Sequence, residues 1–264
     1  MRNLVTMANI GDCTQGAIFN CLKISGNRRV HGLVISARCD IAQKKSKTIL
    51  CLPVLTLEDW INSVGSQEVL AQGSKAVIKN VSEILARYGL PIDSFTIYGY
   101  ENCLNVLDRK KINAADRQRI EVLRAFIESG KIVKSAKSFK DAHNKILETI
   151  LKNTRADCHF LERIHVDCDP TGYVVDFTQP ITLYRDVIDE LSMGLDKFYY
   201  DRDKDFKYGA ISLDEIDSGE IISILNSPFV EHLLQRFTHY YSRIGTKDIS
   251  DNDLNNLKVK HEIA

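Results

Sequence analysis

The sequence predicts an α+β fold whose β part is split in two by a long helical stretch. Three observations lead there. Residues 15–56 hold three apolar, β-rich runs joined by short connectors. Residues 57–155 switch to helical spacing, and from Cys158 the spacing returns to that of strands. A three-stranded meander and a lone hairpin are each marginal in water, and together they can close a core.

The first run, Gln15 to Ser25, is closed by the turn pair Gly26-Asn27. The second and third, Val30–Ser36 and Thr48–Leu55, are rich in Val, Ile and Leu, and each is about one strand long. Pro53 has no N–H to give to a ladder, so it reads as the end of the third strand. The connector Cys39–Lys47 reads as a polar, basic loop carrying Lys44 and Lys45. Residues 1–14 read as a lead-in.

Thr56 is positioned to cap a short helix, Leu57–Ile61. From Leu70 to Tyr88, the residues Leu70, Val77, Ile78, Val81, Ile84 and Leu85 recur at helical spacing. Gly89 ends that helix and Pro91 prevents its return. Phe95–Tyr100 fits either a short strand or an extended loop. Asn113 caps a helix that Gly130 stops, with Ile120, Leu123 and Ile127 as its stripe. Ser135–Asn153 is a further helix. Phe139, Ala142, Ile146, Leu147 and Ile150 form one face, and Lys137, Lys140 and Lys145 the other.

Cys158–Val166 and Tyr173–Tyr184 then read as a hairpin around the turn Asp167–Gly172. Arg185–Gly194 is a short helix and Lys197–Tyr208 a charged loop. Ser212–Leu225 reads as a helix, with Ser212 as cap and Glu215 at the capping-box position. Ser227 caps the last helix, Pro228 takes its first position and Gly245 ends it. Its polar side carries Arg236, His239, Tyr240 and Arg243. The units are residues 1–56, 57–155, 156–225 and 226–264.

A chain of 264 residues can bury a sizeable core. Net charge is zero, but residues 105–155 carry 13 basic and 6 acidic side chains, and residues 156–264 carry 11 and 21. A basic middle beside an acidic end suits both contact between the two parts and a nucleic-acid partner. No apolar run is long enough to cross a membrane, and MRNLVTMANIGD lacks a signal-peptide core. The seven cysteines contain no C-x-x-C pair, and Cys21 and Cys51 fall inside strands. That pattern points to a reducing cytoplasm. Cys158, His159, His165, Cys168 and Asp169 do not follow zinc-ligand spacing, so neither metal nor other cofactor is expected. Cys39-Asp40 reads as structural, because a nucleophilic cysteine needs a base and a lowered pKa.

The strand sequences resemble the PemK/Kid/MazF toxin family. That family runs through an opening strand, then R-P-V-V-V-(V/L)-S, then (V/C)-V-P-(V/I/C)-T-(S/T). Here the matching stretches are GAIFNCL, RRVHGLVIS and TILCLPVLT. A later family strand is similar to YVVDFTQPITLY, and its closing helix to ISLDEIDSGEIISIL. The resemblance implies a small SH3-like β-barrel interrupted by a helical insertion, with C-terminal helices. It also implies metal-independent RNA cleavage by attack of the ribose 2′-OH on the adjacent phosphate, within a toxin–antitoxin or phage-defence system. The implied partners are RNA, an antitoxin and a second copy of the chain. Thr56 falls on the family's Thr; its Arg position falls on Val30, with Arg29 one residue before, and its Pro is His31. The catalytic set to examine is therefore Arg29, His31 and Thr56. The candidate RNA contacts are Arg28, Lys44, Lys45, Lys131, Lys134, Lys137, Lys140, Arg236 and Arg243. Each also has a plainer reading, as a solvated charge or a helix cap. The rival function is a non-catalytic module that docks an effector or ATPase of a defence operon.

Overall fold

A computed structural model describes residues 2–167 and 170–242. The first strands are β1 (Val5–Met7), β2 (Ala17–Ile24) and β3 (Arg28–Val34). After a short helix α1 (Arg38–Ala42) comes β4 (Thr48–Thr56). Helices α2 (Leu57–Trp60), α3 (Ser66–Arg87), α4 (Ser94–Tyr98), α5 (Tyr100–Arg109), α6 (Ala114–Ser129) and α7 (Lys137–Leu151) follow. The chain then forms β5 (Cys158–Leu161), β6 (Tyr173–Asp176), β7 (Ile181–Tyr184) and helix α8 (Arg185–Met193). It ends with β8 (Leu195–Asp196), α9 (Lys197–Asp203), β9 (Ser218–Gly219), β10 (Ile221–Leu225) and α10 (Phe229–Tyr241).

The fold is α+β, with a curled antiparallel half-barrel sheet and helices packed around it. The sheet order is β1-β10-β2-β3-β4-β6-β5, and β7 pairs with the start of β4. The β2–β3–β4 meander is present as the sequence predicts. Both faces of its strands are covered, which explains their nearly unbroken apolar runs. One face places Leu33, Leu52, Val54 and Val175 in a core closed by Val230 and Leu233 of α10. The other places Phe19, Val30, Val34, Cys51 and Leu55 in a core shared with Trp60, α8 and the helical stretch.

Several expectations need correction. The lead-in contains β1, which pairs with β10. The basic connector contains α1, and Arg185 clasps it by donating to the carbonyls of Asp40, Ile41 and Ser46. The third strand runs through Pro53 to Thr56. On the edge away from β3, β7 pairs with Thr48–Cys51 and β6 with Val54–Thr56, so Pro53 sits where the partner changes. Residues 94–109 are two helices, not a strand or loop. The charged 197–208 segment begins as helix α9.

The largest departure is Ser212–Leu225, which is not a helix. The Ser212 hydroxyl accepts from Asp214 N within a turn, and Glu215 has φ +71°. Ile221–Leu225 is instead a strand between β1 and β2. The reason is tertiary: β2 has an edge to satisfy, and the Ile-rich segment fits a pleated surface buried on both sides. The hairpin is also looser than expected, because β5 stops at Leu161 and β6 begins only at Tyr173.

Two helical caps are as predicted, but the last helix differs: α10 begins at Phe229 with Pro228 at its N-cap position, and Ser227 does not cap it. Thr56 Oγ1 accepts from Asp59 N at 3.1 Å, and Asn113 Oδ1 accepts from Asp116 N at 2.8 Å. Gly130 closes α6 in the left-handed region, at φ +62°. Between α2 and α3 lies a π-helical turn, Ile61–Gly65. Helix α3 packs on α6 and α7. Its Gly73 admits the Phe139 ring of α7 so closely that an ideal Cβ there would lie 2.2 Å from the ring.

Gly73→Ala is therefore expected to reverse the usual sign of a helical Gly→Ala change. Propensity alone favours alanine by about 1 kcal/mol. Displacing Phe139 should instead cost about 1–3 kcal/mol, read as a lower urea midpoint with an unchanged slope.

Candidate functional site

Strand alternation sends Arg29, His31 and Leu33 of β3 to the α10 side of the sheet. His31 is opposite Val54 on β4, and Thr56 lies two residues further along that strand, opposite Tyr173 of β6. The three residues Arg29, His31 and Thr56 thus share one sheet face near one end of β4. They are not equally available for chemistry.

His31 lies at the centre of a ring cluster. Its centroid is 5.9 Å from that of His165 and 5.9 Å from that of Tyr173, both edge-on. Tyr173 is held by pairing with Thr56 and Leu161 on either side. His165 is held by its neighbour Ile164, whose side chain is fully buried and whose carbonyl accepts from Ser223 Oγ at 2.5 Å. Burial pushes the His31 pKa down to about 4, and the nearby His165 and Arg29 push the same way. His31 is therefore a neutral imidazole at neutral pH.

The Arg29 guanidinium reaches the Asn20 carbonyl at 3.4 Å and Glu215 at 3.9 Å, and its Nε is buried without a partner. Two of its nitrogens are thus only loosely held. The Thr56 hydroxyl is engaged. It donates to Asp59 Oδ2 at 2.7 Å while accepting from Asp59 N, and so closes the start of α2.

The candidate RNA contacts scatter. Arg28 is exposed at the start of β3. Lys44, exposed and 3.8 Å from Asp189, and the exposed Lys45 lie at the other end of β4 from His31. Lys131, Lys134, Lys137 and Lys140 are exposed but do not form one stripe. Lys137 lines a groove with Asn80 and Arg119, whereas Lys134 and Lys140 line another with Ile61 and His143. Arg243 and the predicted helix end at Gly245 lie outside the described residues.

Arg236 is not on a free polar face; this corrects its assignment. Its guanidinium donates to Asn153 Oδ1 at 2.7 Å and the Cys158 carbonyl at 3.1 Å, and it also meets the Arg155 carbonyl. The His159 Nδ1 lies 2.9 Å away. His159 is 4% exposed, and burial, with Arg236 and His232 beside it, pushes its pKa down to about 3. Arg155, nearby, forms a bidentate pair with Glu68 at 2.7 and 2.8 Å and a second pair with Asp157. Its pKa is raised, first by the Glu68 hydrogen bonds.

Sequence reasoning missed the grouping of His165 and Tyr173 with His31. His165 stood out only as an unconvincing zinc candidate, and Tyr173 as a strand residue. Among the described residues no cluster of His, Cys, Asp or Glu has metal-binding geometry, and no helix is long and apolar enough to cross a membrane. No family model, curated protein or solved structure matches this chain.

Two outcomes follow from the buried polar groups. Arg236→Ala should cost about 1–3 kcal/mol, since a half-buried cluster loses its donor, and Arg236→Lys should restore little because it lacks the planar fork. Chemical denaturation reads both. The second concerns pH. The folded-state pKa values of His31 and His159 lie below that of an unfolded histidine. The unfolded chain therefore binds more protons below about pH 6.5, and stability falls with pH. Each histidine contributes a slope on the order of 1.4 kcal/mol per pH unit between there and its folded pKa. His31→Asn should flatten the fall between pH 6.5 and 4.

Proposed function

We propose that this chain acts on RNA as a PemK/MazF-like protein, with an SH3-like barrel opened by a helical insertion. On this reading the ring cluster at His31 is a metal-independent endoribonuclease site. The observation that carries it is the meeting of His31, His165 and Tyr173, with Arg29 on the same strand face. RNA cleavage through the ribose 2′-OH needs a group to take the hydroxyl proton, a group to protonate the leaving 5′-oxygen, and a cation at the phosphate. His31, neutral at working pH, takes the 2′-OH proton. His165 protonates the leaving oxygen, and Arg29 neutralises the phosphate. The O2′–P bond forms as the P–O5′ bond breaks, leaving a 2′,3′-cyclic phosphate and a 5′-hydroxyl. A phosphodiester seated beside Arg29 adds a negative charge and raises the His31 pKa toward a useful basicity. Thr56 supports the site by starting α2, not by touching the substrate. The natural partners of such a protein are an antitoxin and a second copy of itself.

A second reading, a non-catalytic module that docks an effector or ATPase, is favoured by two side chains. The Thr56 hydroxyl and Arg236 are both taken up within the protein. Exposed Phe198, Tyr199 and Phe206 around α9 offer aromatic contact area to a partner.

Incubation with mixed single-stranded RNA in EDTA separates the two. Cleavage with cyclic-phosphate ends is expected, abolished in His31→Ala and Arg29→Ala. Thr56→Ala should retain cleavage while losing about 1 kcal/mol of stability with its cap. Intact RNA beside folded wild-type protein would reject the nuclease reading in favour of the docking module.

A further inference from the structure

A pocket of about 450 Å³ lies on the helical stretch, between the π-helical turn and α7. Its apolar lining is Ile61, Val69, Ile132 and Phe139, of which Ile61 and Ile132 are half-buried and Val69 and Phe139 almost wholly buried. It is also lined by two exposed lysines, Lys134 and Lys140, and by His143. Among the described residues no Asp or Glu lines it, and neither lysine makes an ion pair. The other large grooves differ. The one at Lys137 includes Asp141, and the one beside α8 is lined by Asp186, Asp189, Glu190 and Asp196. The side-chain amides of Asn62 and Asn144 also line the pocket, and neither has a hydrogen-bond partner among the described residues.

This combination is selective. A volume of this size suits a small organic ligand rather than an ion alone. Two unpaired lysines call for an anion, and an apolar lining calls for a flat or hydrophobic body. Free amides, which both donate and accept, suit the edge of a base or the hydroxyls of a ribose. The π-helical turn belongs to the same picture, since such turns widen a helix locally and recur at ligand sites. Here it presents Ile61 and Asn62 on one wall.

We propose that this pocket binds a nucleoside phosphate, with the phosphate between Lys134 and Lys140, the base on Ile61, Val69 and Ile132, and the two asparagines reading its polar edge. The ligand is either a free nucleotide or one nucleotide splayed from a single strand. The proposal requires neither His31 nor Arg29, so it stands or falls apart from RNA cleavage.

Calorimetric titration of the full-length protein tests it. The probes are AMP, GMP, CMP and UMP, a single-stranded RNA tetranucleotide, and inorganic phosphate. At least one mononucleotide or the tetranucleotide should bind saturably and more tightly than inorganic phosphate. Lys134→Ala/Lys140→Ala should weaken that binding about tenfold or more. Both lysines are exposed, so the variant should fold, as circular dichroism will verify. A mononucleotide binding as well as the tetranucleotide supports a free-nucleotide site; binding of the tetranucleotide alone supports a nucleotide within a strand. Absence of saturable binding would overturn the proposal. So would affinity unchanged in the double variant, or inorganic phosphate binding as tightly as every nucleotide. Binding that persists in His31→Ala keeps this pocket whatever becomes of cleavage.

Discussion

Strand β4 is hydrogen-bonded along both edges, to β3 on one side and to β7 and then β6 on the other. The chain leaves the sheet at its end, builds the whole helical stretch, and must return in a register that sets Val54 against Val175 and Thr56 against Tyr173. A slip of one residue would turn every side chain of β6 to the wrong core, so burial of both faces enforces the register. Pro53 is tolerated within this central strand because it falls where one partner gives way to the other. The same register brings Tyr173 and the connector before it to His31.

A half-buried polar knot ties the helical stretch to the sheet. Asn153, just beyond α7, accepts from Phe160 N of β5 and from Arg236 of α10 at the same oxygen. Arg155 holds Glu68 of α3 and Asp157 before β5. A guanidinium offers a planar fork of donors, and these acceptors come from several elements at once. Such a cluster is worth having only when complete, since a half-satisfied buried charge costs several kcal/mol. This is why the Arg236 guanidinium, on the face that the sequence reads as polar, is bound within the protein.

Near the end of β4, the fold engages some polar side chains more firmly than others. Thr56 ends a strand and starts a helix, so its hydroxyl serves the backbone. Arg29 and His31 carry weaker architectural duties, and His31 faces His165 and Tyr173. The pocket beside the π-helical turn is the opposite case, because its lysines and asparagines have no architectural partners among the described residues. The loosely engaged polar side chains thus lie in two places, around Arg29 and His31 and on the helical stretch.

The sequence by itself determined the elements whose signals lie within a few residues. Asn113 and Gly130 bound α6, Thr56 starts α2, and the meander strands announce themselves by apolar runs of strand length. The stripe of α7 is equally legible, since Phe139, Ala142, Ile146 and Ile150 are all buried. Only the tertiary structure decided the rest. Ser212–Leu225 carries a capping pattern, yet it begins as a turn and its end, Ile221–Leu225, becomes a strand, because the free edge of β2 outweighs local preference. Three apparently unremarkable residues, His31, His165 and Tyr173, become one cluster, because β6 returns to β4 after more than a hundred intervening residues, most of them helical. Local hydrogen-bonding preferences can be read along the chain; which distant groups meet depends on long-range pairing and on the burial that pairing makes possible.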